Sequence, residues 1–268
     1  MKTKLIALDL DNTLLNPQKN ISTRNELILK KLHRKGIKII LTTGRPIKGI
    51  VPFIKQLDLL KADDYAINFN GAVVVNNLNK KTLFSQDIVK KDILPIYNLA
   101  MTYHFPLDIV SLQQAYSIIE LGKSTYENYI GSLMTFSNLS FTNLPDQKYY
   151  KFVCQDDPTK LDKIVALLKT VDDLTIVRSR RNLLEFLPKG TNKKIGLEKL
   201  MSHFGIEWSE VIAFGDEEND EDMIQAAGVG VAMGNAVTSV KRSANDVTVS
   251  NVDDGVAVFL ENYFTNVL

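Results

Sequence analysis

Residues 5–10, Leu-Ile-Ala-Leu-Asp-Leu, form an apolar run that breaks into acid at its end. A run so short and so evenly apolar suits a strand buried on both faces of a parallel sheet. The residues that follow narrow the fold further. Thr23-Arg24-Asn25-Glu26 spells a helix capping box, with Leu27, Leu29 and Leu32 as apolar positions and Gly36 where the helix should stop. Residues 37–43 read as a second strand, Gly44-Arg45-Pro46 as the opening of another helix, and residues 65–70 as a third strand closed by Gly71. Strand and helix in strict alternation predict an α/β fold with a doubly wound parallel sheet.

The character changes after residue 82. Up to residue 187 the strand candidates (YSIIEL, YYKFVCQ, LTIVRS, LLEFLP) are more aromatic and more alternating, with helical patterns near 92–102 and 159–169. That α+β composition predicts an inserted domain over 82–187, flanked by a core made of 1–81 and 188–268. The first style resumes with a helix from about residue 191 to 203 or 204, stopped by Gly205. A strand at 211–216, a helix ending at Gly228, a strand at 229–233 and a short one near residue 246 complete the expected core.

Composition removes several classes of function. Among 268 residues, 32 lysines and arginines meet 31 aspartates and glutamates, so no excess of positive charge favours nucleic acid. The single cysteine, Cys154, can close neither an intramolecular disulfide nor a zinc cluster, which fits a reducing compartment. No leader and no membrane-length apolar stretch is legible, so the expectation is a cytoplasmic protein without a membrane partner, as a monomer or small homo-oligomer.

Chemistry-bearing residues gather where the predicted strands end. Asp9 and Asp11 close the first strand, and side chains two apart on a strand point the same way, so their carboxylates could converge on one ligand. A divalent metal, or a nucleophile with an acid–base partner, would use such a pair; a capped turn with solvated acids accounts for it equally well. Thr42-Thr43-Gly44-Arg45 puts hydroxyls and backbone N–H groups at a helix start, suited to phosphate and equally to a plain N-cap. Lysines at the start of the helix near residue 193 oppose its dipole, which suggests an anionic partner. The carboxylate run over 216–222 repels itself strongly enough to want a cation. In open α/β sheets that edge is the ligand-binding edge. Candidate calcium loops lack the required glycine, the glycines of GVGVAMG have the wrong spacing for a dinucleotide, and His33, His104 and His203 stand singly.

In order, DxDxTLL, the TGR triplet, KGTNKK and GDEENDxxM resemble the four motifs of the haloacid dehalogenase superfamily. NFNGA (68–72) and the closing segment GVGVAMGNAVTSVKRSANDVT resemble its Cof-type members with a C2 (type IIB) cap. Two departures stand out. Asn12 replaces the usual glycine, and Lys194 replaces a glycine after Lys193; Lys193 is assigned to the motif by its spacing to Leu197 and Leu200, with Lys189 and Lys194 as alternatives.

The resemblance implies a Rossmann-like core with an inserted cap and Mg²⁺-dependent hydrolysis of a small phosphorylated metabolite such as a sugar phosphate, nucleotide, flavin mononucleotide or pyridoxal phosphate. By the same resemblance Asp9 is the nucleophile, Asp11 the acid–base group, and Thr43 and Lys193 donors to the phosphoryl oxygens. Asp9, the Asp11 carbonyl, Asp216 and Asp220 hold the metal. Leu10, Asn12, Thr42 and Gly44 line the phosphate, and Arg45, Asn70, Asn219 and the Arg178–Arg181 run are candidates to contact substrate. Phosphate release against an isomerised product separates this reading from a phosphomutase. A non-catalytic binder would have no use for Asp11 as an acid.

Overall fold

The computed structural model describes residues 3–168 and 173–265. Strand β1 (Leu5–Leu8) is wholly buried, as its apolar run requires. It is followed by helix α1 (Thr23–Arg34), β2 (Lys38–Thr42), the short helix α2 (Val51–Gln56), β3 (Tyr65–Asn68), β4 (Val73–Asn76) and β5 (Thr82–Ser85). A second unit supplies α3 (Lys90–Tyr103), β6 (Asp108–Val110), β7 (Gln114–Ile118), α4 (Tyr126–Ile130), β8 (Thr135–Leu139), β9 (Lys151–Gln155), α5 (Pro158–Leu167), β10 (Leu174–Arg180) and β11 (Leu183–Pro188). The chain then returns through α6 (Lys193–Phe204), β12 (Val211–Gly215), α7 (Glu221–Ala226), β13 (Val229–Ala232), α8 (Thr238–Ser243), β14 (Asp246–Val247) and α9 (Gly255–Tyr263).

The first unit is built on an eight-stranded sheet of order β14-β13-β12-β1-β2-β3-β4-β5. From β14 to β3 the pairings are parallel; β4 turns back antiparallel against β3. The order reverses at β1. One course of chain walks from β1 through β2 to β3, and the later course walks the other way from β12 to β14. Because strand–helix–strand crossovers are right-handed, two opposite walks put their helices on opposite faces. Accordingly α1 packs with α9, and α6 with α7. The reversal opens a crevice at the carboxyl ends of β1 and β12, where a ligand can enter.

In the second unit six strands run in the order β10-β11-β9-β6-β7-β8, antiparallel except for β7 beside β8. Ile93 and Ile96 of α3 and Leu161 and Ile164 of α5 share a core with Ile109, Phe152, Leu184 and Phe186 of the sheet. Alternate residues take the other face, where Lys151 and Glu185 form a buried ion pair at 2.8 Å.

Several expectations shift. Ser22, not Thr23, caps α1: its Oγ accepts from Asn25 N at 3.1 Å, and Glu26 instead binds Lys30 at 2.8 Å. Leu27 is exposed, while Ile28, Leu29 and Leu32 carry the apolar face. The division of the chain lies at 84/85 and 191/192, with Pro46–Gly49 grouped with the second unit, in place of 82 and 187. The reason is local: β5 extends the first unit's sheet. Beyond β11, Gly190 N donates to Thr175 Oγ1 (2.8 Å) and Thr191 N to Pro188 O (3.0 Å), which keeps that turn in the second unit. The expected helical pattern at 159–169 is observed to Leu167, and residue 169 lies outside the described residues. Short β6, β8 and α4 had no distinct pattern to announce them.

One close approach positions the site. Gly71, at φ +105°, sits so near the start of α6 that a Cβ there would lie 1.9 Å from Asn192 O. We therefore predict that Gly71→Ala costs about 2–4 kcal/mol from backbone strain and overpacking together. Urea unfolding measures it, and a loss under about half a kcal/mol would mean that the two segments separate freely.

Candidate active site

The chain leaves β1 through a tight turn. Leu14 N donates to Asp9 O at 3.3 Å and Leu15 N to Leu10 O at 2.8 Å, and Asn12 stands at φ +64°. Asparagine enters that left-handed region more readily than most residues, which explains how it can replace glycine here. The turn also breaks the strand pleat, so the two aspartates meet different partners. Asp9 points into the protein, whereas Asp11 faces Arg45 and Lys19.

Asp9, Asp216 and Asp220 form the buried centre, with one ligand oxygen from each lying within 4.8 Å of the others. Lys193, 1% exposed, joins them: its Nζ donates to Asp9 Oδ1 at 2.5 Å and to Asp220 Oδ1 at 2.5 Å. Asn192 caps α6 through Ile195 N (2.9 Å) and so fixes where Lys193 begins. The other Asp220 oxygen accepts from Asp216 N (2.9 Å) and Glu217 N (3.1 Å), folding that carboxylate back over Gly215. A Cβ on Gly215 would meet the Asp220 side chain at 2.4 Å, so only glycine leaves it room. Lys194 pairs with Glu198, at 3.9 Å, and Lys189 is exposed, whereas Lys193 is the lysine bonded to the buried carboxylates.

Three carboxylates against one ammonium make this centre electrostatically uneasy. Burial raises the Asp9 pKa well above the carboxylate range, with Asp220 and Asp216 adding to it and Lys193 opposing. Burial, then the charge of Asp220, pushes Asp216 up to about 7 despite a 2.7 Å hydrogen bond from Thr13 Oγ1. Burial alone would lower Lys193, but Asp220 and Asp9 outweigh it and hold the ammonium above its ordinary value. Hard oxygen donors in this number, buried and short of positive charge, fit a divalent cation such as Mg²⁺.

Asp11 has the opposite environment. Although burial acts to raise it, Arg45 and then Lys19 hold its carboxyl well below the usual range. Arg45 Nε and Nη2 reach its two oxygens at 2.8 and 2.7 Å, and Lys19 Nζ reaches Oδ1 at 2.8 Å.

At the end of β2 successive residues face opposite ways. Thr42 turns its hydroxyl toward Met223 Sδ, 4.0 Å away, so its side chain belongs to the core and not to a phosphate site. Thr43 Oγ1 accepts from Arg45 N at 3.1 Å, and Thr43 O accepts from Asn70 N at 3.0 Å. Asn70, itself at φ +54°, accepts from Asn219 Nδ2 at 3.2 Å and lies against Gly44. Leu10 is a core side chain, and Asn12 is exposed with its carbonyl accepting from Asn235 Nδ2 at 2.9 Å.

Arg178 stands apart, in the second unit. It binds Asp162, Pro158 O at 3.1 Å and Arg181 O, so it braces α5 against the β10–β11 turn. Sequence reasoning assigned nothing to Thr13 or Lys19. Thr13 was visible as the last polar member of DxDxT; nothing in the pattern singled out Lys19.

The raised Asp216 has a pH consequence. The folded carboxyl keeps its proton longer than the unfolded one, so its contribution to stability is full below the ordinary value of 3.8 and is lost as pH rises to about 7. In chelator, Asp216→Asn should gain on the wild type by about 2–4 kcal/mol between about pH 4 and pH 8. Urea unfolding at the two pH values checks this; a constant difference would mean that Asp216 ionises normally.

Known proteins supply the remaining evidence. A profile of the haloacid dehalogenase-like hydrolases matches residues 6–260. The chain is 31% identical over 284 aligned residues to 5-amino-6-(5-phospho-D-ribitylamino)uracil phosphatase YitU of Bacillus subtilis, covering 99% of this chain and 100% of that one. A haloacid dehalogenase-like hydrolase from Bacteroides thetaiotaomicron superposes with a TM-score of 0.87 at 31% identity, covering 98% of this chain and 100% of that one. Another from B. subtilis gives 0.84 at 26% identity, covering 97% and 99%. A profile match over nearly the whole chain, with full-length relatives above 30% identity, means that the chain belongs to the haloacid dehalogenase-like hydrolase family, as a Cof-type member.

Proposed function

We propose that this enzyme, by family a phosphoric monoester hydrolase, releases phosphate from small metabolites through a phosphorylated Asp9. The observation that carries the reading is the buried Asp9 carboxylate, bonded to Lys193 and grouped with Asp216 and Asp220 at the reversal point of the sheet. Asp9 attacks phosphorus in line, and the bond to the leaving oxygen breaks as Asp11 gives that oxygen a proton, which requires Arg45 and Lys19 to release the carboxylate that they hold ionised here so that it can be protonated first. A water then attacks the phosphorus of the acyl phosphate, Asp11 takes the water's proton, and the bond to Asp9 breaks to free phosphate. One hard displacement becomes two easier ones.

Lys193 and the Thr43 hydroxyl donate to the equatorial phosphoryl oxygens, where charge must be matched in the transition state. Gly44 and the backbone after Asp11 add N–H donors. Asp9, Asp216, Asp220 and the Asp11 carbonyl would hold Mg²⁺, which when bound offsets the repulsion between carboxylate and phosphate. Thr13 orients Asp216 for that task. Candidate substrates are small phosphorylated metabolites such as sugar phosphates, nucleotides, flavin mononucleotide and pyridoxal phosphate; the phosphorylated ribityl compound in the name of the B. subtilis relative is of this kind. We assign much of the leaving-group choice to the second unit as a cap, since Asp9, Asp11, Thr43 and Lys193 all lie in the first.

Asp9→Asn removes the nucleophile and a metal ligand at nearly constant shape. It should lower phosphate release from p-nitrophenyl phosphate by about a thousandfold or more while the melting curve stays cooperative. Chelator should abolish wild-type turnover, Mg²⁺ should restore it, and excess Ca²⁺ should inhibit by binding in looser geometry. Half-maximal activity in the variant defeats the nucleophile assignment, and full activity in chelator defeats the metal.

A further inference from the structure

After the turn that carries Asp11, residues 15–21 close on themselves. Leu15 and Ile21 form an antiparallel bridge, Asn16 N donates to Asn20 O at 3.0 Å, and Lys19 N donates to Asn16 O at 2.9 Å. Within this loop Lys19 is held at φ +61°, a left-handed conformation that most side chains disfavour and that Lys80 also takes in its own turn. Strain of this kind persists where surrounding contacts enforce it, and it gathers at functional sites. Here it coincides with a contact: the ammonium lies 2.8 Å from Asp11 Oδ1.

Asp11 already has a partner for both oxygens. Arg45 takes them in a two-pronged grip at 2.8 and 2.7 Å, the strongest arrangement a carboxylate can have with one side chain. Lys19 adds a second cation to an oxygen that is already bonded. Its side chain is 43% exposed, so it gains little from pairing with Asp11 alone. The two cations flank the group that, on the reading above, delivers a proton to the leaving oxygen. Whatever is attached close to that oxygen meets them.

We infer that Lys19, together with Arg45, forms a cationic fork for an anionic substituent on the leaving group. The favoured substrates are monoesters whose alcohol carries a carboxylate or a second phosphate within one or two carbons of the ester oxygen. A substituent on the neighbouring carbon lies roughly 3–4 Å from the ester oxygen, the scale of the contacts Asp11 already makes. A lysine ammonium is a compact point charge that accepts either anion without demanding planar geometry. Lys19 is thus a specificity residue of the site. The inference rests on the role proposed for Asp11.

Three probes with the same two-carbon skeleton test it: phosphoglycolate, ethylene glycol bisphosphate and, as the uncharged reference, ethylene glycol monophosphate. Wild-type kcat/KM for at least one anionic probe should exceed the reference about tenfold or more, and the preferred probe identifies which anion the fork serves. Lys19→Asn keeps a residue at ease in the left-handed conformation but removes the charge, and it should bring the ratio to within about twofold. Lys19→Arg should keep most of the preference. Comparing ratios cancels any general loss caused by disturbing Asp11. No wild-type preference, no turnover of either anionic probe, or an unchanged ratio in Lys19→Asn overturns the inference. p-Nitrophenyl phosphate separates the two levels: failure to hydrolyse it defeats the phosphatase reading, whereas activity on it with any of those three results defeats only the fork.

Discussion

The ammonium of Lys193 is the contact on which the site's arrangement depends. It enters a space where three buried carboxylates already repel one another, and it bonds to two of them at 2.5 Å. Without it, the Asp9 carboxyl would be held protonated still more firmly by its burial and its acidic neighbours. With it, the cluster is still one cation short. On the proposed function that shortage has a use: a hard divalent ion would relieve it.

Lys193 can do this because four separate elements place its surroundings. Asn192 caps α6 and so starts the helix at the lysine, while Gly71 lets the turn after β3 lie directly against Asn192. Gly215 ends β12 with no side chain, and Asp220 folds into the space that glycine leaves. The reversal of strand order at β1 brings the ends of β1 and β12 side by side, so residues 9 and 216 become neighbours although distant in sequence. Each glycine serves by being absent at one atom. The polar centre is thus set by close backbone approach as much as by charge.

Left-handed backbone serves the site at four positions. Asn12, Lys19, Phe69 and Asn70 all have positive φ without being glycine, as do Asp58, Lys80, His104 and Asp254 elsewhere. Asn12 re-aims the chain after the aspartates, Phe69 and Asn70 shape the turn facing Thr43 and Gly44, and Lys19 carries a charge to Asp11. Such positions give up folding stability for geometry that a relaxed loop would not hold.

Reading the chain alone was enough for the alternating parallel core, because continuous apolar strands and helix caps are local signals. The resemblance of its motifs also named Asp9, Asp216, Asp220 and Lys193, and these residues lie together in the fold. Tertiary structure decided the rest. Which partners Asp9 and Asp11 meet depends on a turn whose hydrogen bonds reach five residues along the chain, which strand periodicity does not describe. Arg178 looks like a substrate contact in sequence, but its role is set by Asp162 and the carbonyls of Pro158 and Arg181. Thr42 and Thr43 are equivalent letters until the pleat sends one hydroxyl to the core and the other to the edge. The pairing of Lys19 with Asp11 had no local signal at all, since a charged loop residue acquires a partner only when the loop closes. Local propensity selects elements; which polar groups meet depends on contacts between residues that only the folded chain brings within a few ångströms.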